Sequence, residues 1–189
     1  MRGLYFTHVY PHLIGAISIW GTQDEAKQYL LPLVRTHKKI IRIMCNMPPR
    51  THTAPLMHKL EILNLYYLYT MRVCAEMHPF VHIDTTQRIN RPQHDHTYVA
   101  ITDIHYHQTR YAKGHMYSPN VNTHQHSKTK QPNTIAHFTS KHNEIWNTLP
   151  DNLRSTTSLT IFKKQLNMYL LKEQQREYTL SMTHGHHLA

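Results

Sequence analysis

Acidic residues, glycine and cysteine are all scarce in this chain of 189 residues. Only 11 carboxylates accompany 21 lysines and arginines, and the chain has 5 glycines and 2 cysteines. With so little glycine there is no glycine-rich loop of the kind that cradles phosphates. No run approaches the ~20 apolar residues that are needed to cross a bilayer. The sequence therefore predicts neither a phosphate-binding loop nor a membrane span.

No catalytic arrangement is recognisable either. The five aspartates never stand together in the apolar strand–turn–strand context where a two-metal polymerase would hold them. The chain also lacks the G-x-S-x-G, H-E-x-x-H and C-x-x-C spacings. The sequence therefore predicts a protein that is not catalytic by itself, with no catalytic residue, no cofactor and no bound metal.

Positive charge is abundant. The formal net charge is +10, and 19 histidines add more charge at acidic pH. Such an excess favours an anionic partner, nucleic acid before membrane, and it says nothing about the fold.

The segment 28–42 carries the clearest pattern. At 3.6 residues per turn its apolar side has the spacing of a core-facing helix. That side consists of Leu30, Leu33, Val34, His37, Ile40, Ile41 and Met44. The basic stripe, four cations within a narrow arc on the opposite side, consists of Arg35, Lys38, Lys39 and Arg42. Leu31 and Ile43 lie off the apolar side, and Pro32 falls in the first turns, where a missing N–H costs little.

The basic stripe has two interpretations. Cations spaced along one helix face can reach successive phosphates of a nucleic acid. A solvated face is the ordinary explanation of such charges, but no carboxylate shares this arc to neutralise it. The pattern alone leaves both interpretations open.

Residues 1–80 predict a small, mainly α helical bundle with short connections. Pro11 interrupts a first apolar helix, and the helix with the basic stripe ends before Asn46. Thr53 begins a short helix, and Asn64 caps a fourth helix. That fourth helix is apolar around most of its circumference, so it is expected to be buried among the others.

The pattern changes after Pro79. Residues 81–142 contain few apolar residues and 10 of the 19 histidines, which predicts an irregular connector. The sequence of residues 143–172 indicates a Trp-Asn-x-Leu-Pro turn and a C-terminal helix. Residues 173–189 are expected to form a polar tail that frays. The apolar stripe of the C-terminal helix consists of Leu159, Phe162, Leu166, Tyr169 and Leu170, with Lys163 and Lys164 outside it.

Three H-x-H pairs lie in the connector. They are His94 with His96, His105 with His107, and His124 with His126. Imidazole is a good ligand for zinc and copper, but no carboxylate or cysteine recurs at ligand spacing. Biased composition in a solvated loop is therefore favoured over a metal site.

The tryptophans and cysteines are expected to pack. Trp20 and Trp146 each end an apolar segment, so core packing is favoured over stacking on nucleic-acid bases. Cys45 and Cys74 fall on the packed side of predicted helices, which favours small buried hydrophobes over a disulfide or a reactive thiol.

Several short segments form an ordered set along the chain. They are Ile19-Trp20-Gly21, Lys38-Lys39-Ile40-Ile41-Arg42-Ile43, Arg50-Thr51-His52-Thr53-Ala54-Pro55-Leu56, Ile62-Leu63-Asn64-Leu65, His105 to Arg110, Trp146-Asn147-Thr148-Leu149-Pro150 and Phe162-Lys163-Lys164-Gln165-Leu166. Taken in order, this set resembles the C-terminal region of reverse transcriptases from LINE-type, non-LTR retrotransposons. The likeness covers about residues 4–172. The sequence departs from the family at Ile14, where Tyr is frequent, and at His142, where Gly usually stands.

The resemblance implies a role. In that family the helices after the polymerase palm form a thumb that grips the template–primer duplex, and the same is expected of residues 1–80. The paired-aspartate motif lies upstream in the family, so the chain is expected to be a C-terminal piece without the catalytic palm. The implied partners are RNA or an RNA/DNA duplex, bound weakly and electrostatically, and the upstream palm domain. The family implies an intracellular location, nuclear or cytoplasmic.

Three alternatives remain open at this point. The chain could be a domesticated RNA-binding module in which the basic helix is the selected feature. It could support polymerisation in trans when the palm is supplied. It could also be a decayed retroelement product with no function.

Overall fold

A computed structural model describes residues 2–15, 17, 26–82 and 134–185, except for the side chains of residues 26–29, 134–140 and 184–185. Most of these residues are helical and none of them lies in a strand, which confirms the mainly α prediction. The elements are α1 (Arg2–Leu4), π1 (Tyr5–Val9), α2 (Tyr10–Ile14), α3 (Ala26–Met44), α4 (Ala54–Leu60), α5 (Leu65–Val81), α6 (Thr134–Asn147), α7 (Asp151–Arg154) and α8 (Leu159–Gly185).

The first helix is irregular just before Pro11. Proline has no N–H to donate to the preceding turn. The backbone N–H of Tyr10 bonds to the carbonyl of Tyr5, five residues back, and this wider spacing defines the π-helical segment π1. The predicted interruption is therefore present as a π turn that leads into α2.

Helix α3 ends as predicted. Asn46 has a positive φ of 51°, the left-handed conformation that ends many helices. The N–H of Asn46 bonds to Ile43 and that of Met47 bonds to Arg42, which together satisfy two of the last helical carbonyls. Pro48 follows at once and prevents further helix.

The connection from α4 to α5 also follows the sequence. Pro55 lies in the first turn of α4, and Glu61 ends that helix in the left-handed conformation. The side-chain oxygen Oδ1 of Asn64 accepts a hydrogen bond from the N–H of Tyr67 at 3.0 Å, which confirms the predicted cap of α5.

The chain divides into two compact units. One contains Met1–Arg72 together with Lys164–Ala189, and the other contains Val73–Lys163. The predicted unit of residues 1–80 therefore has different limits, because the C-terminal helix supplies part of the first unit. The sequence pattern could not show this, since the two segments are more than ninety positions apart.

The second unit has an aromatic core. Trp146 and Phe162 are fully buried, and their ring centroids are 5.6 Å apart. His78 packs against Phe162 at 4.5 Å, and its Nε2–H donates to the carbonyl of Thr156 at 2.7 Å. Burial lowers the pKa of His78. Trp146 is thus a core residue, as expected, and Cys74 at the same end of α5 is also fully buried.

The predicted connector reached too far towards the C-terminus. Residues 134–142 belong to helix α6 instead of an irregular segment. His142 and Asn143 occupy buried positions of this helix. Because polar side chains hold positions where an apolar period would be sought, the helix was not evident from the sequence.

The prediction that the tail frays from residue 173 was also wrong as far as Gly185, since α8 continues to that residue. Gln174 lies four residues after the buried Leu170 and is itself only 7% exposed. A glutamine therefore continues the buried stripe that Phe162, Leu166 and Leu170 begin.

Several predictions lie outside the described residues. They concern residues 83–133 with the three H-x-H pairs, Trp20, and the last four residues of the tail.

Candidate nucleic-acid interface

Helix α3 separates its charged and apolar residues as the sequence predicted. Arg35, Lys38 and Lys39 are exposed, whereas Ile41 and His37 on the opposite side are fully buried. The other apolar residues of that side, Leu30, Leu33, Val34, Ile40 and Met44, are partly buried. The two that were expected off the apolar side, Leu31 and Ile43, are 42% and 66% exposed.

Arg42 differs from the other three cations. It is partly buried, and its Nε donates a hydrogen bond to the carbonyl of Thr51 at 2.8 Å. This bond ties the end of α3 to the loop before α4. Arg42 therefore has a structural role that Arg35, Lys38 and Lys39 do not share in the described part of the chain.

On its buried side, α3 contributes His37 to a polar pair with Tyr5. The hydroxyl of Tyr5 and Nε2 of His37 are 3.0 Å apart, and their rings stack with centroids 5.7 Å apart. Burial lowers the pKa of His37 to about 4, so this imidazole is neutral at pH 7. Burial also raises the pKa of Tyr5, with the nearby Tyr10 adding to the shift. His37 therefore adds no positive charge to the buried side of α3 at pH 7.

Lys38 also lines a groove of about 500 Å³, here called the Lys38 groove. Its walls come from α3, from the start of α4 and its preceding loop, from Asn64, and from the last turns of α8. The remaining lining residues are His52, Thr53, Ala54, Met57, Gln174, Glu177, Tyr178, Ser181 and Met182.

A carboxylate therefore lines the same groove as one cation of the basic stripe. Glu177 lines the Lys38 groove and accepts a hydrogen bond from the hydroxyl of Tyr67. Burial raises the pKa of Tyr67, and the bond to Glu177 contributes to the same shift. The sequence showed no acid within the arc on α3, and Glu177 reaches this area from a distant helix. Arg35 and Lys39 do not line the groove.

The sequence does not predict the groove residues on α8, because its polar composition after Lys172 favours a fraying tail. The available signal was the spacing of Phe162, Leu166, Leu170 and Gln174, which repeats every four residues. Following that spacing through a glutamine would have extended the helix as far as Tyr178.

Within the described residues, no group of three or more His, Cys, Asp or Glu side chains could hold a metal ion. The described helices are also too short or too polar to span a membrane.

No protein-family model, curated protein or solved structure matches this chain.

Proposed function

We propose that this protein is a non-catalytic, thumb-like nucleic-acid-binding region that corresponds to the post-palm part of a LINE-type reverse transcriptase. Its ligand is RNA or an RNA/DNA duplex, held without sequence preference. The palm domain of such an enzyme is the protein partner that the resemblance suggests.

The observation that carries the proposal is the exposed side of α3. Arg35, Lys38 and Lys39 lie within one arc, and the side behind them is anchored by the fully buried Ile41 and His37. Cations on a fixed helix can meet successive phosphates without first being ordered, so less conformational entropy is lost on binding. The net charge of +10 supports the same partner.

The test removes the three exposed cations together. Each phosphate contact contributes about 0.7–0.9 to the slope of log affinity against log salt concentration. The variant Arg35→Gln, Lys38→Gln, Lys39→Gln is therefore expected to reduce that slope by about 2–3. The slope is measured by fluorescence anisotropy with a labelled RNA/DNA duplex over a range of salt concentrations.

The chain offers a matched control. Lys59, Lys164 and Lys172 are exposed cations elsewhere in the same unit, and changing them to Gln removes the same net charge. This control is expected to keep most of the slope. Equal losses in the two variants would mean that net charge, and not the side of α3, determines binding. Arg42 is left unchanged in both variants because of its bond to Thr51.

A further inference from the structure

The Lys38 groove brings the basic stripe to a concave surface, because Lys38 is one of the residues that line it. Lys38 therefore belongs to two features, the row of cations on α3 and the lining of a groove of about 500 Å³. That volume lies within the range of about 300–1,000 Å³ found for small-molecule sites. A phosphate that contacts Lys38 would place its attached nucleoside at this groove.

Two of the residues that line the groove, Gln174 and Asn64, are joined by a hydrogen bond. Oε1 of Gln174 accepts from the backbone N–H of Asn64 at 2.7 Å, and Nε2 of Gln174 donates to the carbonyl of Ile62 at 3.2 Å. Asn64 in turn caps α5 through Tyr67. These bonds join α8 to the loop before α5, so the groove has fixed walls before any ligand arrives.

The lining suits the uncharged part of a nucleotide. Tyr178 offers an aromatic ring, and Met182, which is 40% exposed, offers apolar surface. Glu177 repels phosphate, but a carboxylate accepts hydrogen bonds from the N–H groups on the edge of a base. Tyr67 holds that carboxylate through its hydroxyl. The groove thus combines a cation for phosphate with a stacking ring and an acceptor for the base.

We infer that the Lys38 groove binds one unpaired nucleotide of a nucleic-acid strand, with its phosphate at Lys38 and its base against Tyr178 near Glu177. The inference rests on the proposed function, because it takes the bound polymer to be nucleic acid. A paired base is engaged with its partner strand and cannot enter, so the groove distinguishes single-stranded from duplex segments.

Two variants test this, each measured by anisotropy with a single-stranded RNA and with a duplex of the same length. Tyr178→Ala removes the ring, and Ser181→Trp fills the groove from an exposed position on α8. Stacking on one aromatic side chain corresponds to roughly a fivefold or larger change in affinity. Both variants are expected to lose at least that factor for the single strand and to keep the duplex affinity.

Thr179→Trp is the matched control, because Thr179 is exposed on the same helix and does not line the groove. It is expected to bind both ligands like wild type, and circular dichroism checks that all three variants remain helical. Unchanged single-strand affinity in Ser181→Trp, or an equal loss for both ligands, would overturn the inference and leave the role of α3 intact. Absence of binding to either ligand by the wild-type protein would overturn both proposals.

Discussion

At the scale of single residues, buried polar side chains take part in the packing of the core, and His37 is the clearest example. His37 was placed on the apolar side of α3 by its spacing alone, and the structure confirms its burial. Its partner Tyr5 lies 32 positions earlier, which no local pattern could reveal. The bond between them satisfies two polar groups that would otherwise be buried at a cost of about 1–3 kcal/mol each.

The buried imidazole predicts a dependence of stability on pH. The unfolded chain binds a proton at His37 near pH 6.5, whereas the folded chain does so near pH 4, because burial lowers the pKa. The unfolded state therefore takes up this proton first, and the stabilisation that is present above pH 6.5 is lost as pH falls towards 4. The loss from this group is at most about 3 kcal/mol.

Urea unfolding at pH 7 and at pH 4.5 measures the effect. The variant His37→Gln lacks the titrating group, so its free energy of unfolding is expected to fall less over this interval than that of wild type. His58→Gln, at an exposed position of α4, serves as the control for the many other histidines. A pH dependence in His37→Gln as steep as in wild type would contradict the assignment.

At the scale of elements, the sequence predicted what local chemistry decides. The end of α3 near Asn46, the cap at Asn64 and the two sides of α3 all follow from positions within a few residues of one another. The sequence failed where a polar residue takes a core position, as His142 does in α6 and Gln174 does in α8. In α8 the buried pattern continues through Gln174, whose side chain bonds to the backbone of Ile62 and Asn64 more than a hundred positions earlier.

Gln174 is therefore expected to decide how far α8 extends. Gln174→Ala leaves the N–H of Asn64 and the carbonyl of Ile62 without their side-chain partner, which costs roughly 2–4 kcal/mol. Hydrogen exchange is expected to show protection beyond Lys172 in wild type and its loss in this variant. Gln175→Ala, one position along the same helix, should keep that protection. Rapid exchange beyond Lys172 in the wild-type protein would show that the end of α8 is not held by this glutamine.

At the scale of the whole molecule, nucleic-acid binding can depend on a folded surface or on the net charge of the chain alone. A chain with a net charge of +10 attracts nucleic acid even when it is unfolded. The proposed function requires more, namely that α3 holds its cations in one arc on a folded core. Helix α3 contains two isoleucines that separate these cases, because Ile41 is fully buried and Ile43 is 66% exposed.

Ile41→Asp and Ile43→Asp change the net charge equally, from +10 to +9, but only the first places a charge in the core. An unpaired buried charge costs several kcal/mol, a large part of the about 5–15 kcal/mol that stabilises a typical domain. Ile41→Asp is therefore expected to lose helical circular dichroism and to bind an RNA/DNA duplex roughly tenfold or more weakly, because its cations are no longer held in one arc.

Ile43→Asp is expected to stay folded and to keep the salt slope of wild type. Equal affinities and equal slopes in an unfolded Ile41→Asp and a folded Ile43→Asp would show that charge composition alone drives binding, and the side of α3 would then be an ordinary solvated face.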